Sequence, residues 1–293
     1  MKALILGLAL STAFTAQAVA QELADGTSAL PVTLRAAESY TVEGANGTSY
    51  DVRVAFPDGY NSSGDTRYPT LYVTDANFVF LTTVEAQRLL QIYGEVAPVL
   101  IVGVDRPAGT FGEMAAHRIR DLTTSPLPAV DSTLAAQYGT PVRSGGAEAF
   151  LTTLVETVVP SVEARYPTGE ERGLLGYSVG GLLATHALFS ATERFTHYLI
   201  ASPSYWWGGG EMFERERTYA AVHDDLPAEI FISSGSQEPP VTQAVVEMDS
   251  TLSTRGYDRL VLTRHEFEGE THTSVPPAAI SRGLRVLFGP DDE

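Results

Sequence analysis

The sequence predicts an α/β fold, with a mostly parallel central sheet, an N-terminal antiparallel hairpin and helices on both faces. Three observations carry that prediction. Beyond the hairpin, apolar strand-like runs alternate with helical segments, the order expected of a parallel sheet. One of the runs, Val99–Asp105, is a continuous apolar stretch of the kind a central parallel strand needs. The third is the stretch 171–189, ERGLLGYSVGGLLATHALF. It reads as a strand, then Gly176-Tyr177-Ser178-Val179-Gly180, then an apolar helix, which is the context of a nucleophile elbow.

Taken in order, residues 1–20 read MKALILGLALSTAFTAQAVA. A positive start, a short apolar stretch and a small-residue end predict a secretory signal peptide cut before Gln21. The apolar stretch is short of the ~20 residues needed to span a bilayer, so no membrane anchor is expected. Residues 21–293 are read as one domain, preceded by a polar lead-in over 21–30. Alternating segments on either side of Asn46-Gly47 predict the hairpin. Tyr68–Asp75 follows as a strand and Asn77–Tyr93 as a helix. Residues 106–145 show no periodicity and are expected to be a long functional loop. Ala147–Tyr166 reads as an amphipathic helix that Pro160 bends or breaks. After the elbow come strands at 197–202, 229–235 and 260–267, interleaved with helices at 211–223, 241–254 and 281–288.

Composition narrows the chemistry. The 293 residues are 44% hydrophobic, contain no cysteine and carry a formal charge of −17. Lys2 is the only lysine, so the mature chain draws its positive charge from arginine alone. Such acidity excludes the basic footprint of a nucleic-acid binder. Without cysteine there is no disulfide, thiolate nucleophile or Cys-based metal site. Export without disulfides suits a bacterial periplasm or exterior.

Gly176 and Gly180 leave room around a serine on a sharp turn, and the Val179 N–H at the following helix start can face an oxyanion. Catalytic groups gather at the carboxyl ends of strands in such sheets. The first carboxylate after the 229–235 strand is Glu238, and the first histidine after the last strand is His272. The order Ser178, Glu238, His272 is the one an elbow requires. His272 would take the serine proton while Glu238 orients its ring. The second oxyanion donor should come from just past strand 70–75, at Ala76 or Asn77. Substrate-facing candidates are Tyr177 beside the serine, Phe78 and Trp206 as aromatic wall, and Arg106, Arg118 and Arg120. The arginines either line a mouth for an anionic ester or pair internally, Arg120 with Asp121 for example. Tyr205 and Trp207 fit wall or core equally well.

Several separate motifs in this order resemble a known family. They are Tyr72-Val73-Thr74-Asp75-Ala76-Asn77, Arg118-Ile119-Arg120-Asp121-Leu122-Thr123, Gly145-Gly146-Ala147-Glu148-Ala149-Phe150-Leu151, Gly176-Tyr177-Ser178-Val179-Gly180-Gly181, Ser202-Pro203-Ser204-Tyr205-Trp206-Trp207 and Gly269-Glu270-Thr271-His272-Thr273-Ser274. From Leu34 to Phe288 the chain resembles the esterase D-like branch of the α/β-hydrolases that includes secreted or periplasmic siderophore (enterobactin-type) esterases. The resemblance implies an α/β-hydrolase fold and carboxylic-ester hydrolysis through an acyl-enzyme, with no metal and no cofactor. Two departures stand out. Family members commonly carry Gly where this chain has Ala76, and the acid varies, some members working as a Ser–His dyad. The expected substrate is a small siderophore-type, aryl or short-acyl ester. An acetyl or feruloyl esterase acting on polysaccharide, or a silent binding protein that kept the fold, are the alternatives.

Overall fold

The structure, a computed structural model, describes residues 34, 36–44 and 47–290. The signal peptide, its cleavage site, the polar lead-in and Asn46 of the hairpin turn lie outside the described residues.

Eight strands form one sheet in the order β1-β2-β4-β3-β5-β6-β7-β8. β1 (Ala37–Glu43) and β2 (Ser49–Ala55) make the antiparallel hairpin, and β2 also runs antiparallel to β4 (Leu100–Asp105). The other pairings are parallel: β4 with β3 (Tyr68–Thr74), β3 with β5 (Thr168–Tyr177), then β6 (His197–Ala201), β7 (Ala228–Gly235) and β8 (Leu260–Phe267).

Two cores result from the pleat. Val73, Leu175, Leu199 and Phe231 are register partners across four strands and all are buried. Their face is covered by α1 (Ala76–Ile92) and α9 (Pro276–Phe288). α9 comes so close that a Cβ on Gly283 would stand 2.6 Å from Leu199, so only glycine fits. The alternate residues, among them Tyr72, Leu174 and Tyr198, belong to the core on the opposite face. There they meet α4 (Ala147–Thr153), α6 (Val179–Ser190) and α8 (Pro239–Ser253). Burying α6 on nearly all sides explains its largely apolar sequence.

Two expectations need correction. Residues 106–145 are not an unstructured loop: they hold α2 (Phe111–Leu122) and α3 (Pro128–Tyr138). α2 begins with a capping box, in which Thr110 accepts from the Glu113 N–H and Glu113 reaches back to the Thr110 N–H. α3 starts on Pro128 and stops at Gly139 in the left-handed conformation, yet buries none of its residues completely, so it has no apolar stripe to detect. The helix from Ala147 also survives Pro160. The backbone stays helical through a π-turn at Leu154–Val158 into α5 (Val159–Glu163), and that wider turn just before Pro160 accommodates a residue without an N–H. α7 (Glu211–Ala220) completes the set, after a short 3₁₀ turn at Trp207–Gly209.

β3 lies at the centre of the strand order, with β4 to one side and β5 to the other. The chain therefore reverses its winding between β3 and β5, and the crevice outside their carboxyl ends is where such sheets bind ligands.

Candidate active site

Ser178 stands at the carboxyl end of β5, as the N-cap of α6, with φ 60° and ψ −116°. A non-glycine residue in that region is strained by ~1–3 kcal/mol and persists only where its surroundings enforce it. Here both backbone flanks are tied to the end of β6 and the segment just after it. The Ser178 N–H donates to the Ala201 carbonyl, and the Ser204 N–H donates to the Ser178 carbonyl, each at 3.0 Å. The glycines are explained by contact. A Cβ on Gly176 would lie 2.0 Å from the Gly180 carbonyl oxygen, and one on Gly181 would lie 3.0 Å from Pro203.

His272 follows the turn after β8, and Glu238 caps α8 just beyond β7. His272 Nε2 lies 3.0 Å from Ser178 Oγ, and Nδ1 lies 2.5 Å from Glu238 Oε2. A carboxylate facing Nδ1 places the ring proton there, so Nε2 is left to accept from the serine hydroxyl. The other carboxylate oxygen, Oε1, accepts from Ser202 Oγ at 2.5 Å and from the Gly235 N–H at 2.6 Å. Burial pushes the Glu238 carboxyl up, but the hydrogen bonds from His272, Ser202 and Gly235 outweigh it and hold the group below its usual range. Ser204 Oγ lies 3.4 Å from Ser178 Oγ.

The Val179 N–H, at the first position of α6, has no hydrogen-bond partner among the described residues, and neither has that of Ala76 in α1. The β3–α1 turn abuts the elbow: a Cβ on Gly180 would meet Thr74 Oγ1 at 3.0 Å and Asp75 Cβ at 3.9 Å. Asn77 is different, since its N–H donates to Asp105 Oδ2 and its side chain accepts from Arg53 at 2.6 Å. The structure thus leaves Ala76, not Asn77, with a free N–H.

A cleft of about 340 Å³ opens over Ser178. Its walls include Ile119, Val130, Leu134, Val179, Trp206 and Trp207, with Arg118 at one side. Trp206 is 57% exposed at the mouth, while Trp207 is buried and its indole N–H donates to the Ser125 carbonyl. Tyr205 is core, its hydroxyl 2.8 Å from Thr185 Oγ1.

The arginine-lined mouth does not form. Arg118 is bidentate to Asp75, Arg120 pairs with Asp121 at 3.1 Å, and Arg106 approaches Asp121 at 3.9 Å. Of the three only Arg118 lines the cleft. Phe78 and Tyr177 are not among its lining residues either. Phe78 lies under the Arg118 guanidinium, 4.9 Å from ring centroid to Cζ, and the Tyr177 hydroxyl donates to the His272 carbonyl at 2.5 Å. Tyr177 therefore braces the histidine.

Sequence reasoning missed Ser202, Ser204 and the α3 wall. Ser202 and Ser204 follow β6, the neighbour of β5, so strand order would have pointed to both serines. Val130 and Leu134 sit four apart on α3, but nothing marked that helix.

Strand, elbow, helix and a histidine delivered from the last strand define an α/β-hydrolase. The family described as "Putative esterase" matches residues 44–272, and the chain belongs to that esterase family. It is a carboxylic-ester hydrolase. The chain is 30% identical to the siderophore triacetylfusarinine C esterase of Aspergillus fumigatus, over 88% of its own length and 95% of the relative's. It is 28% identical to the ferri-bacillibactin esterase BesA of Bacillus subtilis, over 76% and 80%. Among solved structures it is similar to the BES protein from Bacillus cereus, with a TM-score of 0.75 at 28% identity, over 88% of this chain and 97% of that one.

Proposed function

We propose that the protein is an exported serine esterase that cleaves siderophore-type esters through an acyl-enzyme. The observation that carries the reading is the unbroken hydrogen-bonded run from Ser178 Oγ through His272 to Glu238, assembled from the ends of β5, β8 and β7. Ser178 Oγ attacks the ester carbonyl carbon as His272 Nε2 takes its proton. The carbonyl electron pair moves onto oxygen, facing the Val179 and Ala76 N–H groups. When the carbonyl re-forms, the alkoxide leaves with the proton from His272. Water then repeats the sequence on the acyl-serine, and the carboxylic acid departs. Glu238 stays ionised, fixes the tautomer of His272 and balances the charge the ring gains.

Three features support the substrate class. The relatives are named for siderophore esters. The cleft volume falls in the usual range for small ligands. Its apolar and aromatic walls suit an aryl or short acyl group, with Trp206 exposed to stack on a ring. Export to the periplasm or exterior rests on the pattern of residues 1–20. Among the described residues no helix is long and apolar enough to cross a membrane.

Hydrolysis of cyclic and linear catecholate esters, compared with acetyl and feruloyl esters, tests the substrate. Ser178→Ala should lower kcat by about 10⁴-fold or more and abolish labelling by a fluorophosphonate. Normal turnover by that variant would remove the serine from the mechanism.

A further inference from the structure

Two neighbouring N–H groups follow β3, and an oxyanion hole beside Val179 needs only one of them. Their surroundings differ. Asp75 adopts φ 62° and ψ 36°, and its carboxylate is held by Arg118 through Nε and Nη2. Asp105, the last residue of β4, accepts from the Asn77 N–H, and Arg53 on β2 holds the Asn77 side chain. We propose that Asp105 is a positioning residue that selects the second oxyanion donor: by taking the Asn77 N–H it fixes the first turn of α1 so that the Ala76 N–H serves. The inference rests on Ser178 being the nucleophile, and goes beyond it by assigning a task to a carboxyl group that never meets substrate.

The selection is physical. An N–H already bonded to a carboxyl group has little left to offer a developing oxyanion. If it were released, two donors on adjacent residues of one flexible turn would compete, and neither would be pre-aimed. Preorganisation is what makes such donors effective.

The charge around Asp105 adds a second consequence. Asp51 is its register partner, and Arg53 neighbours it on the same strand. Tyr50, Asp75, Arg106, His117, Arg118 and Asp121 line with it a void of about 10 Å³, room for about one water. Burial chiefly, and then the Asp75 carboxylate, push the Asp105 carboxyl up to about 8, against the pull of the Asn77 N–H, Arg53 and Arg118. At neutral pH Asp105 is therefore protonated, and its oxygen can still accept from Asn77. Ionisation puts a second carboxylate near Asp75 and against the first turn of α1, where its charge opposes a negative charge forming at the Ala76 N–H.

The test compares the full chain with its Asp105→Ala and Asp105→Asn variants on a neutral aryl acetate, following kcat, KM and pH. Asp105→Ala should lose about ten- to a hundredfold in kcat, with KM within about twofold, because a mis-aimed donor acts only in the transition state. Asp105→Asn keeps an acceptor oxygen without a titrating proton. It should recover most of the kcat at pH 7 and lack the decline expected of the wild type as pH rises through about 8. A merely structural role would move thermal stability but not erase that limb. The proposal is overturned if Asp105→Ala turns over like the wild type, or if the decline persists in Asp105→Asn. Should Asp105→Ala not fold, the Asn profile decides alone. Failure of the serine reading is read on a different variant, as turnover by Ser178→Ala.

Discussion

Two turns meet at the catalytic crevice, and they solve one problem in different ways. Both join the carboxyl end of a strand to a helix, both turn on a non-glycine residue with positive φ, and their strands are neighbours. At β5–α6, Ser178 holds its backbone conformation without a side-chain cap bond to its own turn, since its hydroxyl faces His272. Steric fit enforces it, through Gly176 against the Gly180 carbonyl, together with backbone hydrogen bonds to Ala201 and Ser204. At β3–α1, Asp75 sits in the ordinary left-handed region, which aspartate tolerates, and an ion pair with Arg118 holds it there. A turn made by packing tolerates no added atom. One made by charge depends instead on its partner.

The largest effect expected from this contrast is at Gly176. Gly176→Ala adds a methyl where the Gly180 carbonyl oxygen stands 2.0 Å away, a contact that only displacement of α6 relieves. Overpacking of rigid backbone should cost about 3 kcal/mol or more and remove esterase activity even from the fraction that folds. Circular dichroism melting together with fluorophosphonate labelling checks both parts. A stable, fully labelled variant would show that the elbow is not held by sterics.

The same contrast explains what was legible in the sequence. The packed turn announces itself, because close backbone contact demands glycine and leaves G-x-S-x-G between a strand and an apolar helix. The order of acid and base followed from strand ends, so Glu238 and His272 were within reach of sequence reasoning. The charge-built turn is silent. Asp75 looks like any strand-ending aspartate, and its partner Arg118 lies 43 residues on, in a helix that sequence reading took for loop. What sets Asn77 apart from Ala76 is Asp105, 28 residues from Asn77, which takes a backbone N–H in a contact that no side-chain pattern records. α3 escaped for a similar reason: it lies partly buried beside the cleft and buries no continuous face, so it needs no periodicity.

A smaller effect on activity, at a comparable cost in stability, follows from Arg118. Its side chain is 16% exposed and that of Asp75 only 1%, so Arg118→Ala strands a carboxylate away from water. Breaking a buried pair from one side costs about 3–5 kcal/mol, and Arg118→Lys, which cannot pair bidentately, should restore part of it. With Asp75 released, kcat should fall about tenfold or more as the Ala76 N–H loses its aim. Because Asp75 already neutralises the guanidinium, neutral and anionic esters should lose equally. A loss confined to anionic esters would instead put Arg118 in contact with substrate.

The smallest effect tests whether the two turns are mechanically one. Thr74 is the joint: its hydroxyl donates to the Leu175 carbonyl at 3.0 Å, and the same oxygen faces Gly180 across the gap. Thr74→Val keeps the shape and removes the bond, for a cost of about 1 kcal/mol. That is a shift of roughly 2–4 °C in Tm for a chain of this size. If the joint transmits position, the kcat losses of Thr74→Val and Arg118→Ala will not add in the double variant, since each slackens the same Ala76 donor. Simple additivity in kcat would mean that packing and charge set their turns independently, and that only the substrate brings the two donors into register.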